Sequence, residues 1–152
     1  MHFFSGTDID LLNKYILGED VMQSGEFSVS TSRQMEFVDI TSMVAQAIMA
    51  KGGVDGLCCI YNPHTTAGLT INEGADPAVK SDILAIFKQI IPMDYPYKHL
   101  EGNSPAHIMS SLMGSSVTVI VENGRLRIGT WQKIYFCDFD GPRTRKVWWR
   151  MV

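Results

Sequence analysis

Within the stretch YNPHTTAGLTINEG, residues 61–74, five side chains able to do chemistry fall inside ten positions: His64, Thr65, Thr66, Asn72 and Glu73. Pro63, Gly68 and Gly74 punctuate them, and few apolar residues intervene. A second polar cluster, HLEGNSPAHIMSS at 99–111, adds His99, Glu101, Asn103, His107, Ser110 and Ser111. His64, His99 and His107 are three of the four histidines in the chain, all in turn or loop settings beside small residues. Three neutral imidazoles with a fourth position open form an established catalytic zinc arrangement. Their spacing matches no simple zinc motif, and the competing reading is of three loop residues making ordinary hydrogen bonds.

Glu73 and Glu101 each lie near a histidine. A carboxylate so placed serves as general base for a bound water or orients an imidazole; alternatively, Glu73 accepts main-chain hydrogen bonds in a turn. Thr65, Thr66 and Gly68, with Gly102, Asn103 and Ser104, supply runs of backbone N–H suited to an anion. A helix beginning near Pro105, carrying Ser110 and Ser111, would favour negative charge at its start. The expected chemistry is one metal-assisted site for a small phosphate-bearing ligand, with His64, Glu73, His99 and His107 as its reactive groups.

Seven basic residues follow Gly124, against two acidic ones, on a chain whose net charge is −3. Solvated strand faces explain most of that excess. The sharper expectation is that one or two of these arginines face an anionic ligand, since guanidinium matches phosphate oxygens, with Arg143 the one placed to neutralise leaving-group charge in a transfer reaction. Trp131 and Gln132, in the run GTWQ, offer a stacking surface and an amide, or else a core tryptophan. Neither GxxxxGK[ST] nor GxGxxG occurs, so nucleotide-type phosphate loops are unsupported. A GxSxG elbow is also absent, which weakens an α/β-hydrolase reading.

The elements that must position these groups are legible in outline. Residues 1–24 read as an extension in which Ile9, Leu12, Tyr15 and Ile16 share a helical stripe, and residues 25–152 as a single domain. Phe27, Val29 and Thr31 alternate with polar neighbours, and Met35, Phe37 and Val38 continue after a turn. Thr41 is placed to cap a helix reaching about Lys51, ended by Gly52–Gly53. GLCCIYN at 56–62 reads as a buried central strand, and Leu69–Ile71 as a short one. Asp76–Pro77 opens a helix, with Val79, Ile83, Phe87 and Ile90 on one face, and Pro92 stops it. A long loop spans 92–106. Val117, Val119 and Val121 lead into a hairpin turn at Asn123–Gly124, and Ile134–Cys137 and Val147–Trp149 are two further strands. Hairpins and a strand majority predict an α+β domain: a largely antiparallel β-sandwich with two principal helices, its exposed edges closed by oligomerisation.

Apolar residues at 45% and charged residues at 19% suit a globular chain of this size. Negative overall charge and the lack of a recognised motif argue against nucleic-acid binding. No run approaches the roughly 20 apolar residues that span a bilayer, and no secretory signal is visible. Cys58, Cys59 and Cys137 lie in apolar runs without the pattern of a disulfide framework, which points to a reducing cytoplasm.

The blocks PHTTAGLTINEGADP, HLEGNSPAHIMSSLMG and VENGRLRIGTWQKIYFCDFDGPR resemble the signature blocks of the YjbQ family, and the resemblance runs from about Phe27 to Val152. Members have been called secondary thiamine-phosphate synthases. The resemblance implies a compact α+β homotrimer with sites near subunit contacts, where His64, His99 and His107 gather; they would hold a divalent metal, zinc on the residue reading, or meet a diphosphate directly. Asn72, Glu73 and Asp76 fall in its TINEGADP block, Trp131 and Gln132 in its GTWQ block. The implied reaction joins an aminopyrimidine diphosphate to a thiazole phosphate and releases pyrophosphate. Two further readings stay open: metal-assisted hydrolysis of a phosphorylated metabolite with Glu73 activating water, and a non-enzymatic trimeric binding module for a small phosphorylated ligand.

Overall fold

Period-two alternation lays out most of the molecule. The computed structural model describes residues 23–152; the stripe expected over 9–16 lies outside the described residues. In chain order the elements are β1 (Ser24–Ser30), β2 (Glu36–Asp39), α1 (Thr41–Met49), β3 (Gly56–Tyr61), β4 (Ala67–Glu73), α2 (Pro77–Ile90), α3 (Ser104–Met113), β5 (Ser116–Glu122), β6 (Arg125–Arg127), β7 (Gln132–Asp138) and β8 (Thr144–Met151). Every strand pairing is antiparallel. A five-stranded sheet has the order β1-β8-β3-β5-β6, and a three-stranded sheet the order β2-β7-β4.

The two sheets face each other across one apolar layer. Val147, Trp149 and Met151 point inward from β8, Cys58 and Ile60 from β3, and Val119 and Val121 from β5. They meet Ala67 and Leu69 of β4 and Ile134 and Phe136 of β7, while Val44 and Ile48 of α1 close the layer. The opposite face of the three-stranded sheet carries Phe37, Tyr135 and Cys137. It is covered by Ala106 and Met109 of α3 and by Ile83, Leu84 and Phe87 of α2. Strand β7 is therefore buried on both faces, which explains its almost unbroken apolar run IYFC. Cys58 and Cys137 are buried free thiols. Burial pushes the first up to about 11 and the second well above the thiol range, so neither is a ready nucleophile.

Local signals account for several boundaries. Asp76 accepts the Ala78 N–H at 2.8 Å, with Pro77 in the first helical position. Asn123 and Gly124 both adopt positive φ, at 51° and 68°, as a tight hairpin between β5 and β6 demands. Two expectations need revision. Thr41 does not cap α1: it is the first helical residue, its N–H bonds Asp39, and its hydroxyl accepts the Ile134 N–H at 2.9 Å. The expected pair of principal helices becomes three among the described residues, because the loop after Pro92 ends at Asn103 and α3 runs for ten residues.

Candidate functional site

The turn after β3 is built around Asn62, which is 1% exposed. Its Nδ2 donates to the carbonyls of His64, at 3.0 Å, and Ala67, at 2.5 Å, and its Oδ1 accepts the His64 N–H at 3.1 Å. One buried amide thus fixes the loop that presents His64, Thr65 and Thr66. Replacing Asn62 with leucine removes all three bonds: the His64 N–H and carbonyl lose their partner, while the Ala67 carbonyl keeps Ser110. The expected loss is about 2–4 kcal/mol, read by urea unfolding; a loss below about 0.5 kcal/mol would contradict this role.

His64 is oriented from the other side by β8. The Lys146 main-chain N–H donates to its Nε2 at 2.8 Å. An N–H can be accepted only by an unprotonated nitrogen, so the neutral ring carries its proton on Nδ1. Burial, followed by the neighbouring Arg145 guanidinium, lowers the His64 pKa from its ordinary value against the opposing charge of Asp138.

Arg145 is itself spoken for. It lies on the inward face of β8, 6% exposed, and its Nη2 and Nε grip the fully buried Asp138 carboxylate at 2.7 and 3.1 Å. Its Nη2 also donates to Thr66 Oγ1 at 3.0 Å, tying the histidine loop to the pair. Asp138 further accepts the Thr31 hydroxyl and the Asp140 N–H. Arg143 stands at the rim, more than half exposed, with Nε on the Asp140 carbonyl and Nη2 on its carboxylate, both at 2.7 Å. Nη1 of Arg143 has no hydrogen-bond partner among the described residues.

These groups enclose a polar cleft of about 280 Å³, lined by His64, Thr65, Thr66, Glu101, Asn103, His107 and Arg143 among others. Asn103 precedes α3. Its Nδ2 donates to Asp140 at 3.1 Å, which fixes the amide's orientation and leaves Oδ1 buried with no partner among the described residues. Such an atom is costly unless a ligand donor meets it. A second cleft of about 520 Å³ shares Pro63, His64, Thr65 and His107 and adds Tyr61, Ser110 and Ser111. Ser110 donates to the Ala67 carbonyl at 2.5 Å, seating α3 on β4.

The three histidines do not all line one cleft. His107 faces His64 across both clefts, whereas His99 packs edge-on against His107 with ring centroids 5.2 Å apart. His99 Nε2 is 3.8 Å from Glu101. No group of three or more His, Cys, Asp or Glu side chains is disposed to hold a metal ion among the described residues. His64 also has Nε2 engaged and Nδ1 protonated. The donor set of one chain does not fit a three-imidazole metal centre.

The remaining candidates sit elsewhere. Glu73 and Asn72 lie at the far end of β4, paired with Gln132 and Lys133 of β7. Glu73 Oε1 accepts the Ala75 N–H at 2.7 Å, and the Gly74 N–H reaches the Trp131 carbonyl at 2.7 Å. Gln132 Oε1 accepts the Gly129 N–H, and Trp131 is 64% exposed. Asn72, Glu73, Trp131 and Gln132 thus form a second group, separated from His64 by the length of β4, about 20 Å. Asn62, Asp138, Asp140 and Arg145 are the site-building residues that motif reading overlooks. For Arg145 a signal existed: alternation with Val147, Trp149 and Met151 puts it on the inward face.

Sequence and fold comparisons find relatives of this chain. A family model described as "UPF0047 protein YjbQ-like" matches residues 25–152. The UPF0047 protein MJ1081 of Methanocaldococcus jannaschii is 47% identical over 84% of this chain and 92% of its own length. The UPF0047 protein YugU of Bacillus subtilis is 50% identical over 82% of this chain and 95% of its own. Among solved structures, an uncharacterised YjbQ/UPF0047 protein of Clostridium acetobutylicum superimposes with a TM-score of 0.81 at 52% identity, covering 84% of this chain and 99% of that one. The conserved hypothetical protein TT1486 of Thermus thermophilus gives 0.79 at 43% identity, over 84% and 99%. No helix among the described residues is long and apolar enough to cross a membrane.

Proposed function

The chain belongs to the YjbQ-like UPF0047 family, and from that premise and the histidine cleft we propose a transferase of the secondary thiamine-phosphate synthase type. The observation that supports it is the convergence of His64, Thr65, Thr66, His107 and Arg143 on one polar cleft. A diphosphate leaving group needs hydrogen-bond donors whose positions are fixed before charge develops on it. His64 meets that need with its Nδ1–H, its ring held by Lys146. Arg143 offers Nη1, and Thr65 a hydroxyl. In the reaction, the bond from the pyrimidine's methylene carbon to the diphosphate oxygen breaks, the electron pair leaves with pyrophosphate, and a thiazole nitrogen bonds to the carbon. Asn103 Oδ1 suits a protonated phosphate oxygen or an N–H of the ligand.

The assembly proposed with it is a homotrimer. Ile86 and Ile90 of α2 and Ile108 and Leu112 of α3 are exposed apolar side chains on one layer of the fold, and no residue of α2 is fully buried. A divalent metal belongs to this proposal only as an ion shared between copies or carried by the diphosphate.

Steady-state assay with both substrates is expected to give thiamine phosphate above the uncatalysed background, with the mass by light scattering that of three chains. Product at background level overturns the reading. Phosphate release from the diphosphate without any acceptor would instead favour hydrolysis. Dialysis against a chelator is expected to leave pyrophosphate binding in place, because the contacts named are N–H and O–H donors of the chain.

A further inference from the structure

On the outer face of the five-stranded sheet, Tyr61 of β3 stands directly opposite Trp148 of β8. Their ring centroids are 5.9 Å apart with a 31° tilt. They are 42% and 46% exposed, so packing from other elements leaves much of both rings open. Burying aromatic surface is favourable, and two half-open rings on a sheet face need a reason. They form part of the wall of a groove of about 660 Å³, with Cys59, Arg150, Gly25 and Glu26.

Two features join this groove to the histidine cleft. Tyr61 lines both the groove and the second cleft that contains His64, Thr65 and His107. Strand β8 supplies the other link, since the Lys146 N–H holds His64 while Trp148, two residues on, is exposed on the same face as the Lys146 side chain. Two strand residues advance about 7 Å, a span that one phosphate and a methylene bridge. Trp131 lines neither cavity.

We propose that Tyr61 and Trp148 hold the flat nitrogen heterocycle of a ligand whose phosphate end lies against His64 and Arg143. This rests on the phosphate reading of the cleft and on the heterocyclic diphosphate proposed above, and adds to them the residues that hold the ring. Glu26, paired with Lys146 at 2.6 Å, and Arg150 place charges of both signs at the ring's edge, suited to a heterocycle carrying donors and acceptors. The groove is thereby a specificity element of the same site.

The test is calorimetric titration of the full chain with two probes, an aminopyrimidine diphosphate and inorganic pyrophosphate. The wild type is expected to bind the ring-bearing probe roughly tenfold or more tighter, the usual worth of one stacked base. Trp148→Ala and Tyr61→Ala should each bring that ratio towards one while changing pyrophosphate affinity less than about twofold. A ratio retained in both variants overturns the proposal, as does a loss seen in Trp131→Ala and not in Trp148→Ala. Loss of both ligands together with a change in assembled mass would make the face an interface between copies, and overturns it too. If pyrophosphate binds and the ring adds nothing, the ring proposal alone fails. If neither probe binds the wild type, the phosphate reading fails and takes this one with it.

Discussion

Replacing Arg145 with methionine is expected to destabilise the fold by about 3–5 kcal/mol, the usual cost of stranding a buried charge. Asp138 is fully buried, and its carboxylate would keep only the Thr31 hydroxyl and the Asp140 N–H. Methionine fills much of the volume but donates nothing. Denaturant unfolding measures the loss, and a value under about 1 kcal/mol would contradict the pair's importance. The double variant Arg145→Met with Asp138→Leu should lose less than the single, because it removes both charges together. Thr66 loses its Arg145 partner in either case, so the histidine loop should loosen even where the fold survives.

His64→Ala is expected to weaken pyrophosphate binding by tenfold or more, the loss of a hydrogen bond to a charged group at about 1.5–3 kcal/mol. The same residue should leave a mark on stability against pH. Its folded-state pKa lies below the ordinary value, chiefly through burial. On acidification the unfolded chain therefore takes up this proton first, at about pH 6.5. Stability from His64 is complete above that pH and falls as the pH drops towards the lower folded-state value. Protonation of Nε2 also breaks the bond from Lys146. In His64→Gln this pH-dependent component should vanish from a series of thermal melts. An unchanged slope between wild type and variant would contradict the assignment.

How far the chain could be read in advance depended on whether a signal was local. Asp76–Pro77 and Asn123–Gly124 work through bonds two or three residues away, so the α2 start and the β5–β6 hairpin were legible. Helix α3 was legible from Pro105 onward, but the loop expected before it reaches 106 and misses the start at Ser104, although proline near a helix start costs nothing. Two polar clusters distant in sequence were expected to meet, and the 61–66 turn does face the 101–107 segment across a cleft. What sequence proximity misjudged was Glu73. It is nine residues from His64, yet β4 runs extended between them and carries it to the opposite end of the sheet. Arg145 counted as one more surface charge because its partner Asp138 lies across a bend; the alternation within TRKVWWRM was the only clue that it turns inward.

The most direct test of the cleft is a crystal structure of the full chain grown with pyrophosphate. Density for the anion is predicted within hydrogen-bond distance of Arg143 Nη1, Thr65 and the Nδ1 of His64, with the Lys146–His64 bond intact. Pyrophosphate seated instead beside Trp131 and Gln132, with the His64 cleft holding only solvent, would contradict the account.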